Sequence, residues 1–112
     1  MTAQARYPYV GDALLGERIA VALHRVIDPE LSLDILELGL VYGVEADTRS
    51  VKVRITMTSA ACPVADLIID EVVYELQSAL GEEVEVGVEL VWDPPWEPAR
   101  MSPRARAVMD WD

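Results

Sequence analysis

The chain has one cysteine and one histidine among its 112 residues. A lone cysteine cannot close a disulfide within the chain, so no disulfide framework supports the fold. A paired-cysteine metal motif is also missing, as are a glycine-rich phosphate loop and any internal repeat. Basic residues are scarce, 9 Lys and Arg against 20 Asp and Glu, which leaves a formal charge of −11. That balance argues against nucleic acid or an anionic membrane as the main partner, because both demand a basic footprint. No apolar run approaches membrane-spanning length. Met1 to Gly11 lacks an apolar stretch of signal-peptide length. A cytoplasmic protein, where a free thiol persists, is the expectation.

What is present reads as one folded domain. With 52% hydrophobic residues, a chain of this length can bury a single two-layer core. Residues 1–11 show no periodicity and are expected to form a flexible arm. Residues 12–112 then form the domain, with a tail over 93–112. Asp12 is placed to cap a helix running to about Val26, with Leu15, Ile19, Ala22, Leu23 and Val26 on its apolar face. His24 beside that face reads as packing or surface. Pro29 is expected to end the helix by excluding Asp28 from helical geometry, opening a carboxylate-rich turn from Asp28 to Ile35.

Gly39 precedes a strand with Leu40, Tyr42, Val44 and Ala46 on one face, and Asp47 to Ser50 supplies a hairpin turn. The next strand alternates, with Val51, Val53, Ile55 and Met57 inward and Lys52, Arg54, Thr56 and Thr58 outward. A helix from Pro63 to Leu80 follows, closed by Gly81. A last strand over Glu83–Trp92 turns Val84, Val86, Val88, Leu90 and Trp92 to one side. The order helix, strand, strand, helix, strand predicts an α+β two-layer sandwich with a small mixed sheet. Ser102 and Pro103 open a short C-terminal helix. The tail, rich in Trp, Arg and Met, suits either packing over a site or gripping a partner.

Cys62 lies where the second strand gives way to the second helix, with Pro63 at the first helical position. Unpaired backbone N–H groups and the helix dipole favour a thiolate there. Three chemistries stay open. Nucleophilic catalysis needs a base, and the one histidine is remote in sequence. Closed zinc sites and iron–sulfur clusters take about four ligands, so one thiolate needs a second chain, a partner, a small thiol or the Asp28/Glu30 carboxylates to complete the shell. The third reading is an inert thiol in an adaptor domain. For Asp28, Glu30 and Asp34 the residues permit both turn caps with solvated carboxylates and a placement next to Cys62.

Four blocks of the chain, in order, resemble one family. They are Asp28-Pro29-Glu30-Leu31; Asp34-Ile35 with Leu38-Gly39-Leu40-Val41-Tyr42; Thr56-Met57-Thr58 with Cys62-Pro63; and Val91-Trp92-Asp93-Pro94-Pro95-Trp96. The family is that of metal–sulfur cluster biosynthesis, the SufT/PaaD-like or MIP-eighteen-like domain, formerly a domain of unknown function. The resemblance spans nearly everything from Asp12 to Met109. It implies a fold similar to the C-terminal domain of NifU-type iron–sulfur scaffolds and a non-enzymatic role in iron–sulfur protein maturation, as carrier or targeting factor. It implies a site of Cys62, Asp28, Glu30, Thr58 and Ser59, with Cys62 as the metal contact and Ser59 standing where many relatives have Thr. A labile iron–sulfur cluster, shared between two chains or with a partner, is the implied cofactor. Apo iron–sulfur proteins or other cluster-assembly proteins are the implied partners, and a homodimer would bring two thiolates together. The alternative is a non-cluster adaptor such as a PaaD-like accessory protein of a multicomponent oxygenase. Against it, the chain has no cysteine-rich C-terminal segment.

Overall fold

The computed structural model describes residues 7–29, 31–57 and 65–109. Strand β1 (Tyr9–Val10) leads into helix α1 (Ala13–Leu23), followed by the short strands β2 (Ile27–Asp28) and β3 (Leu33–Asp34). Strands β4 (Val41–Ala46) and β5 (Ser50–Ile55), helix α2 (Ala65–Leu80) and strand β6 (Glu85–Leu90) complete the body. A 3₁₀ turn (Pro98–Arg100) and helix α3 (Pro103–Met109) form the tail.

The main sheet has the order β1-β4-β5-β6. β4 and β5 are antiparallel, whereas β1 on β4 and β6 on β5 are parallel. This is the expected α+β layout with a mixed sheet. It gains two features: a two-stranded antiparallel sheet of β2 and β3, and β1 on the edge of the main sheet. Tyr9–Val10, which the sequence reading assigned to the N-terminal arm, pairs in register with Val44 and Glu45, and Tyr7 is buried.

Local chemistry explains most boundaries. Asp12 caps α1, its carboxylate accepting from the Leu15 N–H at 3.0 Å. α1 ends at Leu23, three residues before the expected end at Val26. The N–H groups of Arg25 and Val26 bond back to Ala22 and Leu23, tightening the last turn before the chain becomes extended. In the hairpin turn, Asp47 accepts from the N–H groups of Arg49 (2.7 Å) and Ser50 (2.8 Å). Gly81, at φ 110°, follows α2, and its N–H bonds to the Gln77 carbonyl.

The core is aliphatic. Ile19 and Leu23 of α1, Ile68, Val72 and Leu76 of α2, and Val51, Val53 and Ile55 of β5 are all buried. Three expectations about strand faces fail. The register of β4 shifts between Val41 and Gly43, so its strict alternation breaks, and Tyr42 turns to the tail. Its hydroxyl donates to the Pro94 carbonyl at 2.7 Å. Thr56, expected outward, is 1% exposed. Trp92, expected inward, lies beyond the end of β6 and is 45% exposed.

Candidate functional site

The first carboxylate block folds as the β2–β3 hairpin. Asp28 is 2% exposed, and its Oδ1 accepts from the Leu31 N–H at 3.2 Å, while Ser32 N–H bonds to the Asp28 carbonyl. Ser32 adopts φ 59° to make the reversal. Asp28 is therefore a buried, turn-anchored carboxylate, and burial of such a group demands hydrogen-bonding compensation. Of the other residues expected at the site, Glu30, Thr58, Ser59 and Cys62 lie outside the described residues.

The two flanks of Asp28 show where this block sits. Ile27 and Pro29 line a cavity of about 400 Å³ together with Leu67, Ile68, Asp70, Glu71 and Tyr74 of α2. α2 is the helix whose first described residue, Ala65, comes three positions after Cys62. The carboxylate block and the start of the helix that follows the cysteine block thus share one cavity wall. Its rim is apolar and open: Ile27, Leu67 and Tyr74 are exposed. On the approach to the cysteine block, Thr56 N–H bonds to the Leu40 carbonyl at 2.8 Å. Its buried hydroxyl has no hydrogen-bond partner among the described residues.

The second and fourth blocks also meet. Trp96 Nε1 donates to the Leu38 carbonyl at 2.8 Å, and the Arg100 guanidinium stacks 4.6 Å from the Tyr42 ring centroid. Gly39 has φ 73°, and a Cβ there would stand 2.1 Å from the Arg100 carbonyl oxygen. Met101 and Ala105 are buried. Of the two roles left open for the tail, this is packing: its Trp96, Arg100 and Met101 are engaged by the body.

One cluster escaped the sequence reading. His24, Asp34 and Glu37 bring one ligand atom each within 4.8 Å of one another. His24 Nδ1 is 3.3 Å from Asp34 Oδ2. Asp34 Oδ1 accepts from the N–H groups of Leu36 (2.9 Å) and Glu37 (2.8 Å), so its capping role is real. Ser102 Oγ donates to Glu37 Oε1. Only the three-residue step from Asp34 to Glu37 was visible as a spacing. His24 joins them because the β2–β3 hairpin folds Asp34 back opposite Ile27.

Burial, and then the neighbouring Tyr9, raise the Tyr7 phenol. Tyr9 is raised by burial and by Asp12. The backbone N–H groups of Arg49 and Ser50 lower the Asp47 carboxyl.

A helix–strand–strand–helix–strand sandwich with a buried carboxylate, Asp28, in a hairpin beside the helix that follows a lone cysteine defines a class of small α+β domain. The chain belongs to the family described as iron-sulfur cluster assembly protein, whose family model matches residues 16–90. It is 43% identical over 96 residues to the Fe-S protein maturation auxiliary factor YitW of Bacillus subtilis, covering 85% of this chain and 93% of that protein. It is 44% identical over 85 residues to the Fe-S protein maturation auxiliary factor SufT of Staphylococcus aureus, covering 75% and 96%. A crystal structure of a domain of unknown function, DUF59, from Bacillus anthracis superposes with a TM-score of 0.82 at 40% identity, covering 87% of this chain and 92% of that one.

Proposed function

We propose that the chain acts in the maturation of iron–sulfur proteins, and that it does so as a carrier or targeting factor in which Cys62 makes transient contact with iron or a cluster. The coarse role rests on the family and on relatives named as maturation auxiliary factors. The finer reading is supported by one observation, the shared wall between the segment around Asp28 and the start of α2. Ile27 and Pro29, on either side of Asp28, meet the helix next in sequence to the thiol at one cavity.

In this reading Cys62 loses its proton on binding, since thiolate is the ligand form. One thiolate per chain leaves the remaining positions of a cluster to a partner, a second chain or a small thiol. Incomplete ligation makes the cargo labile, which suits a protein that hands it on. Asp28, held by the turn, serves as a positioning group and Glu30 as a further carboxylate; Thr58 and Ser59 supply hydroxyl donors.

Anaerobic purification followed by iron and sulfide analysis tests the reading. After reconstitution, the wild-type chain should carry iron and acid-labile sulfide, whereas Cys62→Ser should lose at least about tenfold of both. If Cys62→Ser loads as well as wild type, or if neither protein takes up iron and sulfide, the carrier mechanism falls. Asp28→Asn should keep the fold and lower cluster retention, seen as faster transfer to a chelator.

A further inference from the structure

We propose that His24, Asp34 and Glu37 form a binding site for a single divalent first-row transition-metal ion, independent of Cys62. The site has one imidazole and two carboxylates, the mixed nitrogen and oxygen set that suits ferrous iron, manganese, cobalt or zinc better than calcium or magnesium.

Three features of the geometry favour a site over a chance cluster. First, His24 Nδ1 and Asp34 Oδ2 are 3.3 Å apart, long for a charged hydrogen bond. Two adjacent ligands at about 2.0–2.2 Å from a common ion stand about 2.8–3.6 Å from each other, the upper half of that range belonging to tetrahedral sites, so this pair already has the spacing of adjacent ligands. Second, each carboxylate has one oxygen tied to the protein. Asp34 Oδ1 is held by two backbone N–H groups and Glu37 Oε1 by Ser102 Oγ. Asp34 Oδ2 and Glu37 Oε2 are left as the ligand atoms, and anchoring of that kind orients metal-bound carboxylates. Third, no lysine or arginine forms an ion pair with Asp34 or Glu37 among the described residues, where the ion pairs are His24–Asp34, Lys52–Glu89 and Arg54–Glu45. Two neighbouring carboxylates, one with a side chain only 16% exposed, thus face an imidazole and, among the described residues, no paired lysine or arginine.

The three residues come from three places: the C-cap of α1, strand β3 and the turn after it. The cap fixes the His24 backbone through its N–H bond to Ala20. Metal binding takes the His24 lone pair at Nδ1, with the ring proton on Nε2. Closing the set requires the three ligand atoms to draw together around the ion, since they lie within 4.8 Å of one another. The remaining coordination positions face solvent, His24 being 39% exposed.

The chain's one histidine makes the test direct. Tag-free Cys62→Ser protein, which removes the thiol from consideration, is titrated with Co²⁺ and followed by proton NMR and visible absorption. The expected result is saturation at about one ion per chain, with the His24 ring resonances shifted or broadened. His24→Gln and Glu37→Gln in the same background should each weaken binding by at least about tenfold. A His24 ring untouched at saturating Co²⁺, or a His24→Gln variant that binds like its parent, overturns the proposal, as does weak uptake at many sites. The ring signal is read on the parent protein, so the test stands even if a variant folds poorly. Retention of this binding when Cys62-dependent cluster loading fails would separate the two sites.

Discussion

Ser102 joins two parts of the molecule through one hydroxyl: its Oγ accepts from the Ala105 N–H at 3.0 Å, capping α3, and donates to Glu37. Ser102→Ala removes both bonds at a site only 7% exposed. The loss is expected to be about 1–2 kcal/mol, measurable as a lower urea midpoint at unchanged slope. Asp47 carries a pH signature. Its carboxyl is lowered in the folded state by the Arg49 and Ser50 N–H groups, so the unfolded chain binds the proton more tightly. The stabilising contribution is therefore complete above the ordinary carboxylate range and disappears as the pH falls through the lowered value. The protection of the Arg49 and Ser50 amides, measured as exchange relative to the intrinsic rate at each pH, should fall on acidification in wild type. In Asp47→Asn, that pH-dependent part should be missing.

At the level of elements, the loop at Gly39 and the tail are fitted backbone to backbone. Gly39→Ala adds a Cβ 2.1 Å from the Arg100 carbonyl at a residue with φ 73°. The tail must shift, and a cost of at least about 1–3 kcal/mol is expected, with Trp96 fluorescence reporting displacement from Leu38. This contact also shows what a sequence can and cannot disclose. The alternation of Val51, Val53 and Ile55, the stripe of Ile68, Val72 and Leu76, and the Asp12 and Ser102 caps were legible because each obeys a local rule. The β4 bulge, the burial of Thr56 and the exposure of Trp92 were not, since each depends on what packs against it from a distant part of the chain. Asp28 was legible as a turn carboxylate because its partner, the Leu31 N–H, is a near neighbour in sequence. The convergence of Asp34 and His24 needed a hairpin that no pattern announced.

The whole molecule has a Cα radius of gyration of 13.4 Å, close to the roughly 13 Å of a compact 100-residue domain. The tail is thus folded in rather than trailing. Trp96, Met101 and Ala105 contribute to the same core as α1 and β5. Truncation after Trp92 should uncover Leu38 and Leu40, lower the melting temperature by more than about 10 °C or abolish the cooperative transition, and raise binding of an apolar dye. A truncated chain that melts like the full one would refute this account of the tail. Among the described residues no helix is long and apolar enough to cross a membrane.

The tail's place in the core has a consequence for how the protein is made. Translation delivers α1, both hairpins and α2 first, and the residues that lie over Leu38–Tyr42 come after them. Until they have emerged, the Leu38 carbonyl and the Tyr42 ring lack the partners that Trp96 and Arg100 supply. A chain stalled before Trp96 therefore leaves that strip without its cover.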